Sequence, residues 1–429
     1  MIIQKRNLIF LSVVLLSCGL IAAACGSNLK KLIRNTEVLR TSATANISPC
    51  WPMKSLKSEN DIHGSLIFGT TNDQNVSPAY WDISSFQIKT IQLNREESHH
   101  NFLISPDKNF LVDLIENKLT FISPTQKNSV NLPLDDYFVD QFLTNKKLLI
   151  VQRDNREIDS QSFKTGFGFT DVHYIYDPTT NSLTKNSVFL PKFTPNENGF
   201  FAITYSRDMH YVLYHSSLPD EGNKGGFTLL DLRDQEVKWN IPESNRLSGA
   251  GNKDIPFWMP DANALTYAMF SNEEARELNF YKISLEGTII QITQLEKLLG
   301  DDYELIFPQL SQWSSDAQYL AFRATISSLN GSQLLVWDNK EKKLLIPCLP
   351  VDTNASPVYG FDWSLDSKYV IVSLPYVKGE SMLSDGPTYY AYRELLLDIP
   401  NKIIYELPNT KDIDEELVGM IGWVNWEIP

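Results

Sequence analysis

Short runs of apolar and β-branched residues, separated by clusters of Ser, Pro, Asp and Gly, fill the chain from about residue 64 to its end. Runs of this length and composition predict strands, and helical spacing is scarce. One grammar recurs: a strand, a tight Ser/Pro-Asp turn, a second strand, a loop, a third strand, another short turn and a fourth strand. The turns stand at Ser105-Pro106-Asp107, Pro260-Asp261, Ser314-Ser315-Asp316 and Ser364-Leu365-Asp366, with weaker copies at Ser206-Arg207-Asp208 and Thr144-Asn145. Each precedes a β-rich run such as Tyr319-Leu320-Ala321-Phe322 or Tyr369-Val370-Ile371-Val372. Ser and Asp oxygens accept from backbone N–H groups two residues ahead and Pro presets its own φ, so these residues close hairpins. A second signature ends the third strands: Tyr80-Trp81-Asp82, Tyr176-Asp177, Leu230-Asp231, Trp337-Asp338 and Leu397-Asp398. The aromatic or apolar member is expected to pack between sheets while Asp starts the next turn, so both roles are structural.

Repeats of this kind resemble those of the TolB family of propellers and, more distantly, WD-repeat proteins, over roughly residues 64–429. The resemblance implies an all-β, seven-bladed propeller of four-stranded antiparallel blades. Blades two to seven are expected at about 100–133, 137–191, 199–242, 254–295, 305–350 and 356–408. The first blade then holds only three strands of its own, Ser65–Thr70, Ala79–Ser84 and Gln87–Leu93. Its innermost strand is predicted at 419–428, so the C-terminal segment closes the ring on the first folded residues and leaves only short edges exposed. A six-bladed ring is the alternative if the weakly marked third blade is no blade. TolB itself carries an additional N-terminal α/β domain with no counterpart here, so its partner is not carried over. Helical turns are expected only at Asn272–Leu278, Gln294–Leu299 and Asp412–Val418.

The first 25 residues read as a secretory leader. Lys5 and Arg6 form a positive start, Leu8 to Leu16 is apolar except for Ser12, and Ala22, Ala23 and Ala24 precede Cys25. A cysteine after such a small-residue run resembles the lipobox of bacterial lipoproteins, which implies lipidation at Cys25 and a lipid-anchored protein on the outer side of the cytoplasmic membrane. Cys18 is a second candidate. An uncleaved anchor and simple secretion are the other readings of the same stretch, whose apolar length is at the lower limit for spanning a bilayer. Residues 26–63 lack apolar periodicity and are expected to form a flexible tether.

Composition narrows the function. Hydrophobic residues make up 42% of the chain and charged residues 21%, enough for a packed core. A net charge of −14 opposes binding to phosphate backbones, so nucleic acid is excluded as a partner. With Cys18 and Cys25 in the leader, Cys50 and Cys348 remain for an oxidising compartment, where they form either a disulfide or two separate thiols. No CxxC or Cys/His cluster, HxxxH or HExxH spacing marks a metal site, and no cofactor is expected. A GxSxG elbow is missing, and the Ser-x-Asp segments lack the glycine of sialidase repeats, so no catalytic residue is assigned.

Long insertions fall between second and third strands, at Asp154–Thr170, Ser216–Gly226, Ser271–Glu277, Ser327–Ser332 and Pro375–Tyr390, whereas first-to-second turns stay short. One face of the ring is therefore elaborated and is the expected binding face, unless insertions simply accumulate where the ring tolerates them. Phe163, Phe167, Phe169, Tyr389, Tyr390 and Tyr392 lie there beside flexible Gly. They either meet a ligand or fold down as a satellite core. Trp258, Trp313, Trp363 and Trp423 fall in first strands and are expected to pack between blades. Together these features point to a monomeric, non-enzymatic, membrane-anchored scaffold in the bacterial cell envelope that binds a protein or an envelope polymer. The alternative is a carbohydrate-binding or glycoside-cleaving propeller. If Cys25 carries the anchor, Cys25→Ser releases the protein into the soluble fraction. Membrane retention of that variant on fractionation contradicts the assignment.

Overall fold

The computed structural model describes residues 50–57, 62–72, 75–86, 88–90, 102–115, 118–123, 126–135, 137–143, 146–152, 172–186, 200–216, 226–242, 256–270, 278–300, 303–306, 310–329, 331–351, 360–377, 390–407 and 416–426. Their strands form seven antiparallel four-stranded sheets, two of which gain a fifth strand. Blade two comprises Leu103–Ile104, Leu111–Ile115, Lys118–Ile122 and Lys127–Asn131, and blade three Tyr137–Phe142, Leu148–Gln152, Val172–Asp177 and Ser182–Lys185. Blade four is Phe200–Tyr205, Tyr211–Ser216, Gly226–Asp231 and Glu236–Pro242; blade five is Phe257–Trp258, Ala264–Phe270, Leu278–Ser284 and Ile289–Gln291. Blade six runs Gln312–Trp313, Tyr319–Ile326, Gly331–Asp338 and Lys343–Leu345, with Tyr303–Ile306 also paired to its second strand. Blade seven is Gly360–Trp363, Tyr369–Val377, Tyr390–Asp398 and Ile403–Glu406. Blade three is thus a true blade, and the six-bladed alternative falls.

Alternation along the second strands explains how the blades become a ring. Successive side chains point to opposite faces of a strand, and here both faces are buried against a neighbouring blade. Leu148 and Ile150 join the core shared with blade two, while Leu149 between them joins the core shared with blade four. Leu265 and Tyr267 face blade four, and Ala264 and Ala268 face blade six. Val370 and Val372 pack on blade six, and Ile371 packs on blade one. Seven such clusters fill the seven interfaces, including the one between blades one and two. Burial on both faces is why these strands read as unbroken apolar runs.

The Ser-x-Asp turns repeat atom for atom. In blade six Ser314 Oγ donates to Asp316 Oδ1 at 2.6 Å and accepts from Tyr319 N–H at 2.9 Å, while Gln318 N–H donates to Asp316 Oδ1. Ser105, Ser206 and Ser364 make the same two contacts in blades two, four and seven. The third residue after each Ser, and the equivalent Ala262 in blade five, adopts a positive φ of 55–61° without being glycine: Lys108, Met209, Ala262, Ala317 and Ser367. The Asp residues ending third strands also act as expected. Asp82, Asp177, Asp231, Asp338 and Asp398 each accept from a backbone N–H in the following turn.

Both chain ends cross the seam between blades seven and one. Glu416–Val424 pairs antiparallel with Ser65–Asn72 as the innermost strand of blade one, whose other strands are Asn75–Asp82 and Ile88–Thr90. The closing strand begins at Glu416, so residues 416–418 of the expected helical turn are strand; residues 412–415 lie outside the described residues. Of the other two helical turns, Leu295–Leu299 is present; of Asn272–Leu278, residues 272–277 lie outside the described residues and Leu278 begins a strand. At the N-terminal end, Met53–Ser55 adds in parallel to the outermost strand of blade seven. Trp51 and Leu56 are buried there, and Cys50 is joined to Cys348 by a disulfide with Cα atoms 5.2 Å apart. Residues 50–57, which the tether expected over residues 26–63 included, belong to the packed ring, and residues 26–49 lie outside the described residues.

Blade seven also contains a buried acid. Glu394 is 1% exposed, and its Oε1 accepts from Ser373 Oγ at 3.0 Å, whereas its Oε2 has no hydrogen-bond partner among the described residues. Burial pushes its pKa from 4.5 up to about 8. Between these two values the folded chain retains a proton that the unfolded chain releases. Stability is thus fully present below pH 4.5 and falls as pH rises through about 8. Glu394→Gln removes the titration, so at pH 8.5 it should melt several degrees above the parent, with the two curves converging toward pH 5. Parallel curves of melting temperature against pH contradict this.

Candidate functional site

First strands and the turns that follow them wall a cavity of about 420 Å³ at one mouth of the ring. Residues of blades two to seven contribute, including Pro106, Arg207, Pro260 and Leu365 from the short turns. In an up-and-down blade, first-to-second turns emerge on the face opposite the second-to-third loops. The cavity therefore opens on the plain face, not on the elaborated one. Of the expected binding-face residues, Phe163, Phe167, Phe169 and Tyr389 lie outside the described residues. Tyr390 and Tyr392 stand in the third strand of blade seven, at register positions opposite Val377 and Pro375.

The mouth is organised around Asp362, in the first strand of blade seven. Its Oδ2 accepts from Lys108 Nζ of blade two at 2.6 Å and from the Trp423 N–H of the closing strand at 2.7 Å. Its Oδ1 accepts from the Trp363 N–H at 2.9 Å. One carboxylate thus ties blades seven, one and two. The blade-two turn grips the closing strand as well: Asn425 N–H donates to Lys108 O at 2.7 Å, and Trp426 Nε1 donates to Asn109 O at 2.7 Å. Lys108 and Asp362 are each 17% exposed, so their attraction is screened less than that of a surface pair.

The first-strand tryptophans do pack between blades. Trp258 stacks on Tyr211, Trp363 on Tyr319 and Trp423 on Tyr369, in each case an aromatic at the start of the preceding blade's second strand. Trp313 Nε1 donates to Thr266 Oγ1 and Trp363 Nε1 to Gln312 O. Trp258 Nε1 is buried without an acceptor among the described residues, because Leu213 stands at the position that Thr266 fills one blade on.

Two polar groups in the wall take no part in the latch. Ser311 is 6% exposed and its Oγ has no hydrogen-bond partner among the described residues. Asp140 stands where the first strand of blade three bulges: Gln141 pairs with Leu149 and Val139 with Ile150, leaving Asp140 as the extra residue. A bulge re-aims its side chain and is a common device beside binding sites. Asp140 lines the mouth with its side chain exposed, and partial desolvation by the surrounding wall raises its pKa. Its charge in turn helps raise the pKa of Tyr205, although burial is the larger cause there. Arg207, on the neighbouring blade, has its pKa lowered by similar crowding. No group of three or more His, Cys, Asp or Glu side chains that could hold a metal ion occurs among the described residues. Asp140, Ser311, Asp362 and Lys108 were not singled out from sequence, although Lys108 lies within a recognised turn.

Ring, latch and open mouth define a closed seven-bladed β-propeller. Solved structures with a similar fold include TolB from Acinetobacter baumannii, 14% identical over 84% of this chain and 82% of that one, with a TM-score of 0.37. Oligogalacturonate lyase from Vibrio parahaemolyticus is 14% identical over 76% and 86% of the two chains, with a TM-score of 0.48. The β-propeller domain of Cps50 (Swd1) from Myceliophteria thermophila is 11% identical over 76% and 93%, at 0.40. No protein-family model and no curated protein matches the sequence. These likenesses concern the fold, and neither binding nor chemistry is taken from them.

The latch predicts one sensitive position. Gly422 has φ +154°, and a Cβ there would lie 2.6 Å from both Asp362 Oδ2 and Ile104 Cδ1. Gly422→Ala should lower unfolding stability by about 1–3 kcal/mol through overpacking at the seam. An unchanged denaturant midpoint refutes this role for the latch.

Proposed function

We propose that this protein is a lipid-anchored, extracytoplasmic propeller that binds a protein or another envelope component without transforming it. The observation that carries the reading is the mouth on the short-turn face, a cavity with polar groups left over once ring closure is satisfied. Its walls are first strands fixed by interblade stacking, so a ligand meets a preformed surface and orders little on binding. The Cys50–Cys348 disulfide supports an oxidising compartment, in keeping with the leader. A glycoside-cleaving site would need two working carboxylates, and Asp140 and Asp362 share this mouth. Both oxygens of Asp362 are already committed to Lys108 and to two backbone N–H groups of the latch, which favours binding over cleavage.

Photo-crosslinking amino acids placed at Leu365, on the short-turn face, and at Ser328, in the loop between the second and third strands of blade six, test this in the native envelope. Leu365 is 41% exposed and Ser328 is also exposed. A discrete protein or polymer adduct from at least one position is expected. No adduct from either position overturns the scaffold reading.

A further inference from the structure

We propose that the mouth on the short-turn face receives the side chain of a lysine or arginine from a partner protein, with Asp140 as its counter-ion. The inference rests on the scaffold reading and specifies where the ring binds and by what chemistry. Asp140 is the one extra residue of a bulged first strand and lines the cavity. It accepts no hydrogen bond and joins no ion pair among the described residues. The two cations in the same wall are spent elsewhere: Lys108 is held by Asp362 at 2.6 Å, and Arg207 is engaged by a group other than Asp140. Asp140 faces the cavity with its charge unpaired and accessible to solvent, so an incoming ammonium or guanidinium can reach it and supply the counter-ion it lacks.

The remaining wall fits the rest of such a side chain. Leu103, Ile104 and Phe257 offer apolar surface to its methylene stem. The unpartnered Ser311 hydroxyl and the neighbouring Gln312 amide supply hydrogen bonds for main-chain groups of the partner. A volume of about 420 Å³ holds one long side chain with part of its backbone. The net charge of −14 attracts a basic partner at long range. A bound metal ion is the poorer occupant, since no set of three metal ligands gathers among the described residues.

The test titrates the intact protein with Nα-acetyl-lysine methylamide and Nα-acetyl-arginine methylamide, read by saturation-transfer NMR of the probe. The norleucine and glutamate analogues and calcium chloride serve as controls. Saturable binding of the two cationic probes is expected, weakened at least tenfold by Asp140→Asn and partly retained in Asp140→Glu, with melting temperatures unchanged. Equal binding of the norleucine probe, indifference to Asp140→Asn, or displacement of the cationic probes by equimolar calcium overturns the inference. These probes need no partner, so the outcome is independent of the cross-linking experiment. An adduct formed only from Ser328, with no binding of the cationic probes, removes this inference and leaves the scaffold standing.

Discussion

A propeller has no core at its centre; each blade is held only by its two neighbours. One open seam would therefore expose two apolar blade faces at once and leave every other interface dependent on a ring that is no longer closed. In this chain the seam lies between blades seven and one, and Asp362 is the group that joins its parts. It receives an ammonium from blade two and a backbone N–H from the closing strand. Around it the two chain ends are exchanged: the C-terminal strand becomes the inside of blade one, and Met53–Ser55 becomes the outside of blade seven. The disulfide at Cys50 fixes that outer strand to the segment following blade six. Seam closure is thus distributed over strand pairing, a part-buried ion pair and a covalent bond, at different radii of the ring.

The rest of the ring follows from repetition. Each Ser-x-Asp turn satisfies backbone donors with its own side-chain oxygens, and in blade six the neighbouring turn adds to this, since Asp316 N–H donates to Ser367 Oγ of blade seven. These local bonds explain why the turns stay short. They also explain the non-glycine residues at positive φ. Such a residue costs roughly 1–2 kcal/mol in isolation, a cost offset where the Ser hydroxyl, the Asp carboxylate and the hairpin bonds all act on the same few residues.

Against this regular background, the irregular features identify the site. The first strands of blades one, three and four all bulge, and the bulge of blade three places Asp140 in the wall of the mouth, while the wall of blade six leaves the Ser311 hydroxyl unpartnered among the described residues. Neither side chain contributes to closure. The buried Ser311 hydroxyl lowers stability while it lacks a partner, and its place beside a cavity that Asp140 also lines is the physical reason to connect the two with a ligand. Glu394, equally under-satisfied, is sealed inside blade seven, and its effect is on stability and its pH dependence.

Much of the architecture was legible along the chain because its causes are local. Strand periodicity, turn chemistry and the repeat spacing depend on residues within a few positions of one another, and the deficit of one strand in blade one pointed to residues 419–428 before any coordinates. The aromatic face positions, from Phe163 to Tyr392, were chosen by composition and loop length, and these are signals that do not say what a side chain meets. What tertiary structure alone decided depends on register and distant juxtaposition. Asp140 becomes a bulge only because residues 137–142 pair with 148–152 in one particular offset. Asp362 matters only because Lys108, 254 residues away in the chain, and Trp423, 61 residues away, arrive at the same carboxylate. Local chemistry thus determined the blades, whereas the latch and the mouth arise where strands far apart in sequence meet, and no short segment encodes that meeting.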